Sequence, residues 1–393
     1  MAIWNCVLKL GTRVKDIINP RRLYIHNYFG SSLQRKVLIS YLTQPFFSKP
    51  IIGHTNNQES LEIAKIFNDA GCQVDIVRYN GDFNKIKFKN KEYDIVFGLE
   101  PNFLKAVDKF SPDISIYYAT GAYYAFQNAA EYQRLLNLKE RTGIMLRPQR
   151  FVPPHNSFAL ADAIISIGNK WTKSTFGDAS RKTKSIRVSA YSFFNYDIIK
   201  KNKNWKKARF NFLYFGSSGL ILKGLDILLD IFKNHSMFNL YVCGSVSNEK
   251  DFIKIYRNEL FNSPNIHFIG WISPDSDKFR ELISKCAFTI LPSCSEGMSS
   301  STATCMFSGL IPIVSKQTGI DVESCGIILE NNEIETIEKS IFEAANMSES
   351  KIVELSNKSF QCARENHSLE IFSEDFKKAL TDIINEAQKP IVF

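Results

Sequence analysis

The stretch CAFTILPSCSEGMSSSTATCMFSGLIPIVS, residues 286–315, decides the fold of this chain. It predicts a buried strand (AFTILPS), a turn of small residues (CSEGMSSS), a helix (TATCMFSG) and a second apolar strand (LIPIVS). Two short apolar runs joined through a helix are typical of a strand–helix–strand unit in a parallel sheet. Ligands of such sheets bind beyond the carboxyl ends of the strands, where loop amides and helix N-termini point at them.

The turn of this unit carries a lone carboxylate, Glu296, followed by Gly297, Met298 and three serines that begin with Ser299 and Ser300. A carboxylate beside glycine and hydroxyl groups, just before a helix, suits a ligand with many hydroxyls and a phosphate. The other interpretation is that Glu296 and the serines only cap the helix. The turn alone leaves both interpretations open.

Strands and helices also alternate through the first half of the chain. From Lys36 onward the predicted strands are KVLISYLT, CQVDIVRY, YDIVFGLE, DISIYYAT, ADAIISIG and KSIRVSA. The amphipathic helices ESLEIAKIFNDAG and AFQNAAEYQRLLNLKERTG separate them and end at glycines. This alternation predicts a doubly wound α/β domain with a mostly parallel sheet.

A second alternation precedes the opening stretch, with strands FNFLYFG, FNLYVCG and IHFIGW and helices GLDILLDIF and DKFRELISKC. A chain of 393 residues is also too long for one core, so two Rossmann-like domains are expected. The predicted parts are a basic amphipathic segment (1–35), an N-terminal domain (36–194), a linker (195–209), a C-terminal domain (210–367), and a C-terminal helix and tail (368–393).

Charge is distributed unevenly along the chain. Up to Arg209 there are 33 basic and 16 acidic residues, and after it 16 basic and 24 acidic residues. The basic half, with its amphipathic opening, predicts either contact with an anionic membrane surface or a solvated basic face. No nucleic-acid recognition motif accompanies the basic residues, so a nucleic-acid partner is not expected.

Cysteine usage and hydropathy indicate the compartment. The eight cysteines form no CxxC pair and no cluster with histidine, which disfavours disulfides and a zinc site. No apolar run is long enough to span a membrane, and no signal-peptide pattern opens the sequence. We therefore expect a cytoplasmic location, either free or peripheral at the inner face of the membrane.

Several loops that follow predicted strands carry candidate ligand-binding residues. His54, Thr55 and Asn56 lie in GHTNNQE, where Asn56 or Asn57 could equally serve as a helix cap. Asn169 is expected to cap the helix that follows IGNKWT. Further candidates follow other strands: Thr120, Gly121, Gly216, Ser217, Ser218, Lys223 and Gly244.

The segment GSSGLILKG, residues 216–224, combines glycines, which let amides approach a phosphate, with a lysine that supplies positive charge. It matches neither a Walker loop nor the dinucleotide fingerprint, and NLYVCG lacks the acidic residue that would hold an adenosine ribose. A nicotinamide cofactor is therefore disfavoured. Asp275 and Asp277 form a D-x-D that is expected to serve the start of a helix rather than a metal.

In order and spacing, LYFGSSGLILKGLDILLDIF, LYVCG, IHFIGW and ILPSCSEGMSSSTATCMFSGLIPIVS resemble the donor domain of retaining glycosyltransferases of family 4. These enzymes have the GT-B fold, in which two Rossmann domains face each other across a cleft. HTNNQESLEIAKIF, the ATGA loop and QNAAEYQRLL carry a weaker resemblance into the N-terminal half. The resemblance thus extends over most of the chain.

Residue by residue, the resemblance implies a donor site. Lys223 matches the lysine that holds the donor diphosphate, whereas the family's arginine is absent and Ser217 or Ser218 stands near its place. Glu296 matches the first of two glutamates, which holds the transferred sugar. The second, eight positions on, is Thr304 here, so the charged contact to the nucleotide ribose is lost.

The implied activity is that of a retaining hexosyltransferase in polysaccharide or cell-surface glycan biosynthesis. It uses a nucleotide diphosphate sugar and a glycan or lipid-linked glycan acceptor, without a metal, cofactor or covalent nucleophile. A nucleotide-sugar-binding protein that has lost turnover is an alternative because of Thr304. An NAD-dependent sugar-modifying enzyme is a weaker alternative, since the fingerprint is wrong.

Overall fold

The structure is a computed structural model that describes residues 23–47 and 52–387. Within them the chain forms two sheets of mostly parallel strands with helices in the connections. The predicted α/β class with two Rossmann-like domains is therefore confirmed. The amphipathic opening predicted around Trp4 to Ile18 lies outside the described residues.

The N-terminal domain contains a seven-stranded sheet in the order β1-β3-β2-β4-β5-β6-β7. All neighbours are parallel except β1, which runs antiparallel to β3. The strands are β1 (Tyr24–Ile25), β2 (Arg35–Tyr41), β3 (Cys72–Arg78), β4 (Ile95–Gly98), β5 (Ile114–Ala119), β6 (Ala163–Ile167) and β7 (Thr183–Ile186). The helices between them are α1 (Asn56–Asp69), α2 (Asn102–Phe110), α3 (Tyr124–Thr142), α4 (Ser157–Leu160) and α5 (Lys170–Ser174).

The C-terminal domain contains a six-stranded parallel sheet in the order β10-β9-β8-β11-β12-β13. Numbered along the chain this is 3-2-1-4-5-6, the strand order of the Rossmann fold. The strands are β8 (Asn211–Phe215), β9 (Asn239–Cys243), β10 (Ile266–Gly270), β11 (Phe288–Leu291), β12 (Ile311–Ser315) and β13 (Ile327–Leu329).

Ten further helices accompany this sheet and link it to the first domain within the described residues. They are α6 (Tyr196–Asn202), α7 (Trp205–Ala208), α8 (Leu225–Phe232), α9 (Lys250–Ile255), α10 (Arg257–Asn262), α11 (Asp277–Lys285), α12 (Ser300–Phe307), α13 (Ile334–Asn346), α14 (Glu349–Asn366) and α15 (Leu369–Ala387). Across the described ranges, no helix is long and apolar enough to cross a membrane.

The predicted linker, residues 195–209, contains the two short helices α6 and α7. Asn195 and Asn204 cap these helices by accepting hydrogen bonds from the amides three residues on, at 3.2 and 3.1 Å. Ile199 and Trp205 are buried. The segment lacks long-range periodicity because each helix spans only one or two turns, and its caps were the usable signal.

The predicted C-terminal helix returns to the N-terminal domain as α15. Its Phe376 ring lies 6.0 Å from Phe67 and 5.5 Å from Phe97, measured between ring centroids. The chain therefore crosses between the domains twice, at residues 188–195 and at the start of α15.

The two domains also contact each other directly along α3. Arg141 forms an ion pair with Asp226, whose side chain is fully buried, and Arg134 donates a hydrogen bond to the Pro292 carbonyl. Both acceptors belong to segments that flank the cleft. Helix α3 thus fixes the position of one domain against the other beside the candidate site.

Acidification is expected to destabilise the fold through His367, which lies at the second crossing. Its Nδ1 lies 3.2 Å from the Val188 carbonyl oxygen, and burial lowers its pKa to about 4. Between that value and the unfolded pKa of about 6.5, only the unfolded state binds the proton, so stability falls as pH falls through this window. We expect a loss of roughly 2–3 kcal/mol in the free energy of unfolding by pH 4.5, and urea unfolding at several pH values checks it.

The matched variant is His367→Asn, whose amide nitrogen can replace Nδ1 but cannot titrate. Burial raises the pKa of Glu59 to about 7. The contribution of Glu59 to the free energy of unfolding therefore falls as pH rises, which is the opposite of the contribution of His367. The difference between wild type and variant removes this shared contribution. Parallel stability profiles for the two proteins between pH 7.5 and 4.5 would contradict the assignment.

Candidate active site in the interdomain cleft

A cleft of about 670 Å³ lies between the two domains at the carboxyl ends of both sheets. In the C-terminal sheet, the strand order reverses between β8 and β11, and the loops after these two strands line the cleft. Open parallel sheets bind ligands at such a reversal point. The topology therefore places Lys223 and Glu296, which follow β8 and β11, at the expected position for a ligand.

Lys223 and Glu296 form a largely buried ion pair in the cleft. The Lys223 Nζ donates to Glu296 Oε1, and the two side chains are only 6% and 15% exposed. Ser293 donates a second hydrogen bond to the same oxygen at 3.2 Å. The Glu296 amide donates to the Gln317 carbonyl at 2.9 Å, which fixes the backbone of the turn.

The surrounding charges keep Glu296 ionised. Burial alone would raise its pKa, but the positive charges of Lys223 and Arg150 and the hydrogen bond from Lys223 outweigh burial and lower the pKa. An ionised carboxylate can only accept hydrogen bonds, and the hydroxyl groups of a sugar can donate them.

His54 faces the same charges from the N-terminal domain. Desolvation between the domains, followed by the charges of Lys223 and Arg150, lowers its pKa, so the ring is neutral at pH 7. The Asn56 amide donates to Nδ1 at 3.3 Å, which places the proton on Nε2. The ring thus retains one donor for a ligand.

The structure brings nearly all of the predicted site residues to this one cleft. Ser218 is the exception, since it lies in the glycine-serine loop but does not line the cleft. The residues that do line it are His54, Thr55, Asn56, Thr120, Gly121, Gly216, Ser217, Lys223, Gly244, Glu296, Gly297, Met298, Ser299, Ser300 and Thr304.

Helix α12 is capped by Ser299 and not by Glu296. The Ser299 hydroxyl accepts a hydrogen bond from the Thr302 amide at 3.3 Å. Glu296 instead forms the ion pair described above, so the interpretation of Glu296 as a helix cap is wrong, whereas capping by one of the serines is confirmed. The cap of α1 is Thr55, which forms no side-chain capping bond, so Asn56 and Asn57 are not its cap either. Asn169 does cap α5, as predicted, by accepting from the Thr172 amide.

Several amides of the glycine-serine loop, and one in the turn before α12, are already engaged inside the protein. The Gly219 and Leu220 amides donate to the buried carboxylate of Glu249 at 2.5 and 3.2 Å. The Gly216 amide donates to the Cys243 carbonyl, and the Ser299 amide to the Thr318 carbonyl, both at 3.0 Å. A phosphate in the cleft would therefore find these four amides already engaged in hydrogen bonds within the protein.

The turn after β11 is wedged against the N-terminal domain at Gly297. A Cβ atom at Gly297 would lie 2.7 Å from the Thr120 carbonyl oxygen and 2.8 Å from that of Ile167. The Thr172 hydroxyl donates to the Gly297 carbonyl at 2.7 Å. Glycine is required here because the backbones of the two domains approach closely.

Thr304 lies on α12 where the cleft meets the crossing segment. Its side chain is buried, and its hydroxyl accepts a hydrogen bond from the Tyr191 amide at 3.3 Å. A hydroxyl can still donate one hydrogen bond after accepting another. A role of Thr304 toward the ribose of a nucleotide stays a prediction.

Sequence reasoning missed Arg150, Tyr191 and Trp271, all of which line the cleft. Trp271 directly follows β10 and is 57% exposed, so its place after a strand was a usable signal. Arg150 lies in an irregular segment after α3, where no periodicity or motif indicates a function.

Asp275 and Asp277 flank the actual cap of α11. Ser276 accepts a hydrogen bond from the Phe279 amide at 3.2 Å, and Asp277 pairs with Arg280 in the first turn. Among the described residues, no group of three or more metal-ligating side chains occurs. The D-x-D therefore belongs to the start of the helix, although the residue between the two aspartates forms the cap.

Residues 209–346 match the family of glycosyl transferases group 1. This segment includes β8 to β13, and therefore both Lys223 and Glu296. No curated protein sequence matches the chain.

Solved structures share the architecture of most of the chain. Sucrose-phosphate synthase from Thermosynechococcus elongatus has a TM-score of 0.62 at 13% identity, covering 90% of this chain and 100% of that one. HepE from Anabaena, in complex with UDP and glucose, gives 0.60 at 12% identity, with 90% and 100% covered. A glycosyltransferase from Rickettsia africae gives 0.57 at 12%, with 89% and 99% covered. At these identities the likeness establishes the GT-B fold.

Proposed function

We propose that this protein is a retaining hexosyltransferase that uses a nucleotide diphosphate sugar as donor and a glycan or lipid-linked glycan as acceptor. The observation that carries the proposal is the largely buried Lys223–Glu296 ion pair at the point where the strand order of the C-terminal sheet reverses. Burial of two charges is costly, so a protein gains little stability from such a pair in a cleft. A ligand that binds to both charged groups would explain why the pair is present in the cleft.

The two charges match the two ends of the bond to be broken. Lys223 would neutralise the diphosphate as negative charge develops on it, which is the kind of electrostatic stabilisation that usually contributes most to catalysis. Glu296 would accept hydrogen bonds from hydroxyls of the transferred sugar and orient its anomeric carbon. The neutral His54 would donate to the same ligand from the opposite domain.

The reaction then needs no covalent intermediate with the protein. The bond between the anomeric carbon and the diphosphate oxygen breaks, and the acceptor hydroxyl forms the new bond from the same face. The proton of that hydroxyl passes to the departing diphosphate oxygen. The role of the protein is to hold donor and acceptor in this geometry and to stabilise the leaving group.

Screening nucleotide sugars tests the proposal. We expect one of UDP-, GDP-, ADP- or dTDP-linked hexoses to raise the melting temperature, since a ligand at 100 times its dissociation constant adds about 2.7 kcal/mol. The stabilising donor should then give a glycosylated product with an oligosaccharide or lipid-linked acceptor, and NMR of the product should reveal a retained anomeric configuration. Absence of stabilisation by any donor would refute the proposal.

A binding protein without turnover is the second candidate, favoured by Thr304 in place of a carboxylate. It predicts stabilisation by a donor but neither transfer nor slow hydrolysis of the sugar. The product assay separates it from the enzyme. Peripheral association with an anionic membrane remains part of the proposal through the basic N-terminal half of the chain and its amphipathic opening. Residues 1–22 of that opening lie outside the described residues.

Replacing Thr304 with valine is expected to raise the donor KM about 2- to 10-fold with little change in kcat. The variant loses the neutral hydrogen bond to the nucleotide, worth about 0.5–1.5 kcal/mol, and donor binding carries this loss. The hydrogen bond from the Tyr191 amide is lost as well, which affects stability rather than the chemical step. Steady-state kinetics with varied donor measure it. Thr304→Ser keeps the hydroxyl and should stay near wild type. A drop in kcat at unchanged KM in the valine variant would contradict a ribose-binding role.

A further inference from the structure

The cleft holds two strongly basic side chains, one from each domain. Of the described residues that line it, only Lys223 and Arg150 are lysine or arginine. Lys223 is already paired with Glu296, and the Gly219 and Leu220 amides are bound to Glu249. The donor domain by itself therefore offers little free positive charge to a diphosphate.

The backbone of Arg150 is held rigidly by α3. Its amide donates to the carboxylate of Glu131 at 3.0 and 3.1 Å, and its carbonyl accepts from the Gln127 side chain at 2.6 Å. Glu131 and Gln127 are both buried. The backbone of Arg150 is thus fixed to the N-terminal domain, although its segment has no regular secondary structure.

The side chain of Arg150 crosses the cleft to the glycine-serine loop. A Cβ atom at Gly219 would lie 2.5 Å from Arg150 Cγ and 3.0 Å from Cδ, and Gly219 has a φ of +89°. The aliphatic stem of Arg150 therefore packs directly on Gly219. Only glycine fits at this position, because any side chain would clash with the stem. Within the described ranges, the guanidinium at the end of that stem forms no hydrogen bond or ion pair, so its donors are free.

The charge of this guanidinium acts on the centre of the site. Together with Lys223 it lowers the pKa values of both Glu296 and His54. Arg150 is therefore electrostatically close to the groups that are proposed to hold the sugar. An arginine with a free planar fork suits an oxygen-rich anion better than any other side chain does.

We propose that Arg150 binds the diphosphate of the donor from the N-terminal domain, in place of the arginine that the loop at Ser217 and Ser218 lacks. The inference rests on the proposed function and adds a residue to its donor site. Because Lys223 and Arg150 come from different domains, the diphosphate would bridge the cleft. Donor binding and the closed arrangement of the domains would then stabilise each other.

The test compares Arg150→Met with Arg150→Lys and with a control, Arg147→Met. Methionine keeps an apolar stem against Gly219 and removes the charge, lysine keeps a charge without the fork, and Arg147 is an exposed arginine on the same segment. The probe is the nucleoside diphosphate among UDP, GDP, ADP and dTDP that binds wild type most tightly, alongside its nucleoside. Calorimetry and ligand-observed NMR give the affinities.

We expect Arg150→Met to weaken binding of the diphosphate about 10- to 100-fold, as for other hydrogen bonds to charged groups, and that of the nucleoside less than 2-fold. Arg150→Lys should lose less, and Arg147→Met should match wild type. Unchanged diphosphate affinity in Arg150→Met would overturn the inference, as would equal losses for diphosphate and nucleoside. Failure of wild type to bind any of the four diphosphates would instead refute the proposed function itself.

Discussion

Replacing Lys223 with alanine is expected to lower kcat by roughly 100-fold or more. The lysine charge would be lost at the point where negative charge develops on the leaving diphosphate, and lost contacts of this kind cost about 100- to 1,000-fold. The structure adds a second consequence. Glu296 would be left as a buried carboxylate whose main partner is gone, and breaking a buried ion pair costs about 3–5 kcal/mol of stability. Single-turnover kinetics with saturating donor measure the chemical step directly.

The loss of stability has to be separated from the loss of catalysis. Lys223→Ala combined with Glu296→Gln removes the unpaired charge, so the double variant should recover much of the melting temperature without recovering turnover. Lys223→Arg keeps the charge and should retain more activity than alanine does. Near-normal turnover in a folded Lys223→Ala protein would eliminate the diphosphate role of this lysine.

The parts of the site that could be predicted from the sequence are those encoded within single strand–turn–helix units. Lys223 and Glu296 each follow a predicted strand by a few residues, and the rule that ligands bind at the carboxyl ends of parallel strands places both in one cleft. Their mutual ion pair joins residues 73 positions apart and depends on the strand order, which local patterns do not specify. The sequence therefore indicated both residues but not their contact.

The features that the sequence did not indicate all depend on contacts between distant segments. Glu249, which directly precedes α9, accepts hydrogen bonds from the Gly219 and Leu220 amides, so the availability of those amides could not be judged from the loop alone. Tyr191 reaches Thr304 only because the chain crosses between the domains there. Arg150 gains its position from buried partners on α3, and an isolated arginine in irregular chain carries no local signal.

Glu296→Gln is expected to lower kcat by about 100-fold while the donor KM changes little. Glutamine has nearly the same shape, but one of its two oxygens becomes an NH₂ group, which donates where the carboxylate accepts. A hydroxyl of the sugar would lose its acceptor, and a misplaced anomeric carbon can cost ~100-fold in rate. Donor affinity should persist because the nucleotide and diphosphate contacts remain. Parallel measurement of kcat and KM on this variant and on Thr304→Val tests whether the two positions do different work.

The affinity of Glu296→Gln for a diphosphate also reveals how the ion pair competes with the donor. In the free protein Lys223 is neutralised by Glu296, so the diphosphate must share the lysine with the glutamate. Glutamine holds the lysine less strongly, and a diphosphate without a sugar should therefore bind Glu296→Gln at least as tightly as wild type. If Glu296→Gln instead kept full turnover, the carboxylate would serve only to pair with Lys223, and the assignment of Glu296 to the transferred sugar would fail. If both turnover and diphosphate affinity fell together, the pair would act mainly in shaping the cleft.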